Sequence, residues 1–307
     1  MIGENKQEIE DINNNISKGI LIKGIKILFP FEPYKIQKIY MEKVIELLNN
    51  KSTIEGYKGF AALESPTGTG KTLCLLCSIL AWYNKKKQEN KFKGKIIYVT
   101  RTHSQITQTI SELKKTDYRP KMAILSSREF SCVNDNLKKN KDINQLNIIC
   151  RKIRKKCNYK NDFGDKYNFG SSKSHLVDIE DLCKEGRINL FCPYYHQINE
   201  AQNSAEIIFM TYNNLFNQNI RNNLKIHLNN NIIIIDEAHN IEKICEDEKS
   251  LEISDSNFQK ILDELNILLS NEVVLKEYLE GISSEYIKKE ITLFFFFSLN
   301  FLFCIGH

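Results

Sequence analysis

Phosphate chemistry is written into one stretch of this chain, Glu64 to Thr72, which reads Glu-Ser-Pro-Thr-Gly-Thr-Gly-Lys-Thr. Gly68 and Gly70 allow a tight backbone turn that aims N–H groups at phosphate oxygens. Lys71 has the reach and charge for the β- and γ-phosphates, and the Thr72 hydroxyl is a ligand type for Mg²⁺. Ser65, Pro66, Thr67 and Thr69 complete the loop. The general pattern places a glycine where this chain has Ser65, so the loop alone reads only as a nucleoside triphosphate site that needs context.

The context is a second acidic stretch. Asn231 to Ile235 is the most β-branched run in the chain and ends in Asp236-Glu237-Ala238-His239. A carboxylate at the tip of one strand can hold Mg²⁺ beside the phosphates gathered at the end of another. The next carboxylate can orient and deprotonate an attacking water. An acidic pair after a strand is more often a helix start, and only its pairing with the glycine-lysine loop raises it to a catalytic reading. His239 is placed to sense the γ-phosphate or to contact a bound strand.

Cysteine supplies a third constellation. Nine cysteines, an odd number, occur in a chain whose polar, acidic N-terminus is no signal peptide, so ligation or plain burial is expected over a disulfide framework. Cys132, Cys150, Cys157 and Cys192 stand among basic residues, at gaps of 17, 6 and 34 residues. Four thiolates serve zinc or an iron–sulfur cluster equally, although the short CxxC pairs usual for structural zinc are missing. Cys74 and Cys77, three apart among leucines, read as small core residues, and Cys183 as a helix-packing thiol.

The elements that must position these groups follow from periodicity. Ile36 to Leu48 has the three- and four-residue apolar spacing of an amphipathic helix, with Gln37 in its first turn. Gly59 to Leu63 reads as a short buried strand feeding the phosphate loop, and Lys71 to Tyr83 as the apolar helix after it. Lys95 to Thr100 and Met122 to Ser126 read as further strands. The first is followed by Arg101-Thr102-His103-Ser104-Gln105, with Ser104 expected to cap a helix running to Lys115. Ligands collect at the carboxyl ends of strands in open α/β sheets. From Glu129 to about Gln197 the alternation stops, and Glu206 to Tyr212 resumes it. The fold expected is α/β, a parallel sheet with flanking helices in a P-loop lobe, interrupted by an inserted subdomain.

With 42% hydrophobic and 26% charged residues the chain has a globular composition, and its net charge of +5 is mild. Residues 1–20 are polar and Asn-rich and are expected to be disordered. At the other end, Ile291 to His307 is apolar but shorter than the ~20 residues of a membrane span. A core strand, a short anchor and a non-native end compete there, and four consecutive phenylalanines favour the last. No membrane association is expected.

Taken together, these residues resemble the XPD-like group of superfamily 2 DNA helicases, which carry an iron–sulfur cluster. The matching text is FPFEPYKIQ (29–37), ESPTGTGKTLCLLCSILAW (64–82), YVTRTHSQ (98–105), CPYY (192–195), IIFMTYN (207–213) and DEAHNIEKICE (236–246). The resemblance makes the serine at position 65 ordinary, since this group commonly opens the loop with Ser-Pro or Met-Pro. It implies a RecA-like lobe in two parts, 21–128 and 199–250, with an iron–sulfur insertion at 129–198 and the start of a helical arch at 251–290.

The resemblance also implies roles. Gln37 would recognise adenine, Lys71 and Thr72 would bind phosphates and Mg²⁺, Asp236 would complete the metal site and Glu237 would activate water. Arg101, Thr102 and His103, with Arg128, would contact the DNA backbone regardless of sequence. Cys132, Cys150, Cys157 and Cys192 would hold a [4Fe–4S] cluster, with Arg151, Lys152, Arg154, Lys155 and Lys156 as a phosphate-contacting wedge beside it. The function implied is ATP-dependent 5′-to-3′ translocation on single-stranded or forked DNA in telomere maintenance and repair, in the nucleus. No protein partner is named by the sequence. A second RecA-like lobe, which such a motor needs, is not found after His239. The alternative is therefore a module that binds ATP and single-stranded DNA without hydrolysis.

Overall fold

The computed structural model describes residues 19–49, 59–66, 68–139, 143–159, 176–250, 259–260 and 262–263. The chain divides into two compact units, 1–248 and 249–307, and the elements below belong to the first apart from the last residue of the final helix. The expectations for residues 1–18, for the tail at 291–307 and for nearly all of 251–290 lie outside the described residues.

The described residues open with an antiparallel hairpin, β1 (Ile20–Ile22) and β2 (Ile25–Ile27). Lys23 and Gly24 both have positive φ, 48° and 76°, the backbone that a two-residue hairpin turn demands. The Leu28 amide donates to the Tyr118 hydroxyl at 2.9 Å and moors the hairpin to the lobe.

Helix α1 (Lys35–Asn49) buries Met41, Val44 and Ile45 at the spacing expected of one apolar face. Helix α2 (Lys71–Gln88) is buried almost all round from Leu73 to Tyr83, because α1 and the sheet cover it from different sides. It ends in Lys85, Lys86 and Lys87, cations that suit a helix C-terminus. The Trp82 indole N–H donates to Asn49 Oδ1 at 3.0 Å, joining the ends of the two helices.

Four parallel strands form the central sheet in the order β4-β5-β3-β6: β3 (Ile96–Thr100), β4 (Met122–Leu125), β5 (Ile207–Thr211) and β6 (Ile232–Ile235). All five β3 residues are buried. Its alternate side chains enter two cores, as strand geometry requires. Ile96 and Tyr98 join Ile207, Phe209 and Ile234 on the α1–α2 side. Ile97 and Val99 join Ile208, Met210 and Leu125 on the other. Two covered faces explain why β3 and β5 read as unbroken apolar runs.

Helix α3 (His103–Lys114) follows β3. Between β4 and β5 the described residues are helical: α4 (Arg128–Ser131), α5 (Asp135–Lys138), α6 (Ile143–Ile153) with a 3₁₀ turn at Arg154–Lys156, α7 (Ile179–Ile188) and α8 (Pro193–Asn203). Helix α8 covers the edge strand β4, where the buried Gln197 Oε1 accepts from the Ile124 amide at 2.7 Å. Short helices α9 (Tyr212–Phe216) and α10 (Gln218–Leu224) lead to β6, and α11 (Ile241–Lys249) follows it.

Two local expectations are corrected. Gly59 to Leu63 forms no strand: the run is exposed, Phe60 at 83%, and no described strand lies beside it to accept its backbone bonds. Gly59 itself has φ +66°, off the extended conformation. The cap of α3 is Thr102, not Ser104. Thr102 Oγ1 accepts from the Gln105 amide while Gln105 Oε1 accepts from the Thr102 amide, a reciprocal capping box.

Candidate nucleotide site

Two cross-braces shape the phosphate loop. Ser65 Oγ lies 2.6 Å from Thr69 Oγ1, which donates onward to Pro66 O at 2.8 Å. The hydroxyl at position 65 thus closes the loop on itself where a glycine could not. The second brace comes from α1. Gln37 Oε1 accepts from the Tyr34 amide at 2.9 Å, and its Nε2 donates to Thr69 O at 3.0 Å. Gln37, expected to recognise adenine, here fixes the loop's carbonyl and leaves the start of α1 beside the loop.

Gly68 and Gly70 have φ of 78° and 72°, and a Cβ on Gly70 would also stand 3.0 Å from Gln37 Nε2. Gly70 is the residue before α2, so the loop feeds the positive end of an eighteen-residue helix. Lys71 and Thr72 begin that helix and are partly exposed. The position of Thr67 lies outside the described residues.

Asp236 continues β6, its amide donating to Val99 O at 2.9 Å. The Tyr98 hydroxyl donates to Asp236 Oδ2 at 2.9 Å, and the Glu237 amide to Oδ1 at 3.1 Å. The Tyr212 hydroxyl donates to the Asp236 carbonyl. Burial, reinforced by the Asp236 charge, pushes the Tyr98 hydroxyl well above the usual tyrosine range, so it stays a donor. A carboxylate held by neutral donors, with no cation paired to it among the described residues, is the oxygen-donor type that Mg²⁺ prefers.

Glu237 has φ 57° and ψ 45°, a left-handed backbone that costs a non-glycine residue on the order of 1 kcal/mol and often marks functional sites. His239 Nδ1 lies 3.3 Å from Glu237 Oε2, and both side chains are substantially exposed.

The residues expected to contact nucleic acid behave differently from one another. Arg101 is exposed at the carboxyl end of β3, and Thr102 spends its hydroxyl on the α3 cap. His103 packs its ring on Phe130 at 4.4 Å, where burial lowers its pKa. Arg128 is only 9% exposed. Its guanidinium stacks on Tyr194 at 4.1 Å and donates to Asn147 Oδ1 at 3.0 Å and to the Tyr195 hydroxyl at 3.2 Å. Arg154 covers the Tyr195 ring at 4.2 Å, while Arg151, Lys152, Lys155 and Lys156 are exposed.

That arginine clasp sits beside the four cysteines. Cys132 is buried with Leu137 and Leu146, and the thiols of Cys150 and Cys157 both bear on it. Cys132 and Cys150 in turn bear on Cys192, whose pKa burial pushes up to about 11. Thiolates are the donor type that an iron–sulfur group takes. Among the described residues, however, no three His, Cys, Asp or Glu side chains converge closely enough to hold a metal ion. Cys183 donates to Phe130 O at 3.3 Å, and Cys74 and Cys77 are buried in the core.

Sequence reasoning passed over Tyr98 and Tyr212. For Tyr98 the available signal was a polar-tipped ring in the middle of an otherwise aliphatic strand, since a buried tyrosine hydroxyl requires a partner.

Comparison with known proteins follows the same outline. Among curated proteins, the chain is 39% identical over 275 residues to the regulator of telomere elongation helicase 1 homolog of Caenorhabditis briggsae. It is 38% identical over 292 residues to the regulator of telomere elongation helicase 1 of Homo sapiens. These alignments take in 80% and 82% of this chain but 27% and 23% of those proteins, so it spans about a quarter of their length. A solved structure titled XPD_Helicase matches with a TM-score of 0.49 at 28% identity, covering 70% of this chain and 34% of that one. No described helix is long and apolar enough to cross a membrane. A family model described as DEAD/DEAH box helicase matches residues 34–157, across the phosphate loop. The DEAD_2 model matches residues 98–258, more than half of the chain and the whole interval from Tyr98 to the acidic stretch, and the chain belongs to the DEAD_2 family.

Proposed function

We propose that this lobe binds Mg·ATP and supplies half of the ATPase centre of a DNA helicase that moves 5′ to 3′ on single-stranded or forked DNA. The observation that carries the reading is Asp236, held at the tip of β6 by the Tyr98 hydroxyl and the Glu237 amide with no cation paired to it among the described residues. Lys71 would neutralise phosphate charge, and Thr72 and Asp236 would hold the ion. Bound Mg²⁺ supplies charge neutralisation at the β- and γ-oxygens. Glu237 would orient water and take its proton as oxygen attacks the γ-phosphorus and the bond to the β–γ bridging oxygen breaks, yielding ADP and phosphate. The exposed Arg101 at the carboxyl end of β3 is the first residue to test for DNA backbone contact.

Cys132, Cys150, Cys157 and Cys192 would hold a [4Fe–4S] cluster, a reading that rests on the resemblance of their sequence settings and on thiolate donor chemistry. The names of the curated relatives support a role at telomeres, hence in the nucleus.

The alternative reading is an ATP- and single-stranded-DNA-binding module without turnover. DNA-stimulated phosphate release and nucleotide affinity, measured on wild type and Lys71→Ala, decide between them. Turnover lost in the variant supports the motor; Lys71-dependent binding without turnover supports the module. Nucleotide binding that ignores Lys71 refutes both.

A further inference from the structure

The end of the sheet opposite the nucleotide site carries a cavity of about 700 Å³ that the ATPase reading leaves unused. It lies where β3 and β5 begin and where the chain enters β6. Five residues of strand, at about 3.3 Å each, place it some 15 Å or more from Arg101 and Asp236 at the carboxyl ends.

The cavity is built, not incidental. Gly94 passes so close to the next turn that a Cβ there would stand 1.8 Å from Asn230 O. The Lys95 amide donates to Asn231 Oδ1 at 2.6 Å, and the Ile232 amide to Lys95 O at 2.9 Å, locking the two walls together. The Asn231 side-chain amide donates to His227 O at 2.6 Å and sets the rim.

Its lining is divided. Phe92 and the buried Ile97, Ile208 and Ile226 give an apolar floor. Lys91, Lys93, Lys95 and Lys225 supply ammonium groups around it, and no carboxylate is among the lining residues. Lys91 is already paired with Glu89, and Lys95 Nζ donates to Ala201 O and Gln202 O at 2.6 and 2.9 Å. Lys93 and Lys225 are exposed and have no acidic partner among the described residues. An apolar floor of small-molecule size under a cationic rim matches one apolar side chain flanked by carboxylates.

We propose that this cavity docks an acidic peptide segment of a partner protein, with one aliphatic or aromatic side chain over Phe92 and Ile226 and neighbouring carboxylates on Lys93 and Lys225. Nucleic acid is the weaker occupant on two counts. Its backbone offers no apolar anchor for the floor, and DNA engaged at the carboxyl ends of the strands lies on the far side of the sheet.

The test is selection of random dodecapeptides displayed on phage against the full chain, followed by fluorescence anisotropy with the enriched peptides. The expected consensus is two or more Asp or Glu around one Leu, Ile, Phe or Met. Affinity should fall at least tenfold in the double variant Lys93→Glu, Lys225→Glu and weaken with salt. Lys26→Glu, an exposed charge reversal elsewhere, should leave it unchanged, as should the double variant leave thermal melting and nucleotide affinity. The proposal is overturned if no acidic consensus emerges, or if acidic peptides bind the double variant as well as wild type. It is also overturned if the double reversal abolishes binding of an oligo-dT strand while sparing the peptides.

Discussion

The Tyr98 hydroxyl donates to Asp236 Oδ2 at 2.9 Å and fixes the carboxylate of the candidate nucleotide site. Tyr98→Phe keeps the ring packed against Phe209 and removes only that link. A net hydrogen bond to a charged group contributes roughly 1.5–3 kcal/mol, so Mg²⁺-dependent nucleotide affinity should weaken about tenfold. Metal-free nucleotide affinity should change little. Titration of a fluorescent ATP analogue with and without Mg²⁺ separates the two, and equal losses in both would refute the link.

Ser65 tests the loop. Ser65→Gly restores the residue type of the general pattern but deletes the hydroxyl contact with Thr69 and adds backbone freedom. Nucleotide affinity should drop about three- to tenfold, with Ser65→Thr retaining more of it than glycine. Isothermal calorimetry on the three proteins gives the order.

Arg128 is expected to matter for folding rather than for DNA. Replacing it with alanine removes a stacked, half-satisfied guanidinium from between Tyr194, Tyr195 and Asn147, and a loss of about 2–4 kcal/mol follows. Arg128→Lys should rescue little, because an ammonium cannot stack and donate in two directions at once. Urea denaturation reads the loss. A variant with wild-type stability and selectively weakened DNA binding would reverse the assignment.

His103 gives the lobe an acid-sensitive point. Burial holds its folded pKa below the ordinary value of 6.5, with nearby Glu129 opposing. Its imidazole is thus neutral in the native state while the unfolded chain takes up a proton as pH falls through about 6.5. The contribution is full above that pH and declines below it until the folded group titrates. His103→Asn should flatten the fall in urea midpoint between pH 7.5 and 5.5. An unchanged slope would exclude His103 as its source.

Much of the lobe was legible because a parallel sheet covered on both faces needs uninterrupted apolar strands, and β3 and β5 are written that way. The phosphate loop and Asp236 were legible because their chemistry dictates residue type and spacing. What escaped was partnership across long separations. Spacing does not reveal that Arg128 meets Tyr194 and Tyr195, that Gln37 ties down Thr69, or that Tyr98 meets Asp236. The misplaced strand at Gly59–Leu63 shows the converse: an apolar run becomes a strand only where a neighbour offers its backbone, and none of the described strands does. Ser104 lost the cap to Thr102 because a capping box needs Gln three residues on, and Gln105 stands at that distance from Thr102.

The pairing order of the sheet bears on how the chain is made. β3 joins β5 and β6, and both of its partners are synthesised more than a hundred residues after it. At roughly 5–20 residues per second, an emerging β3 waits on the order of 10 s for a neighbour. During that wait an isoleucine-rich strand has both edges bare, while the helices between β4 and β5 can form from local contacts. Nascent chains of this lobe should therefore depend on chaperone holding until β6 clears the ribosome, and slowing translation after β4 should lower the yield of soluble protein.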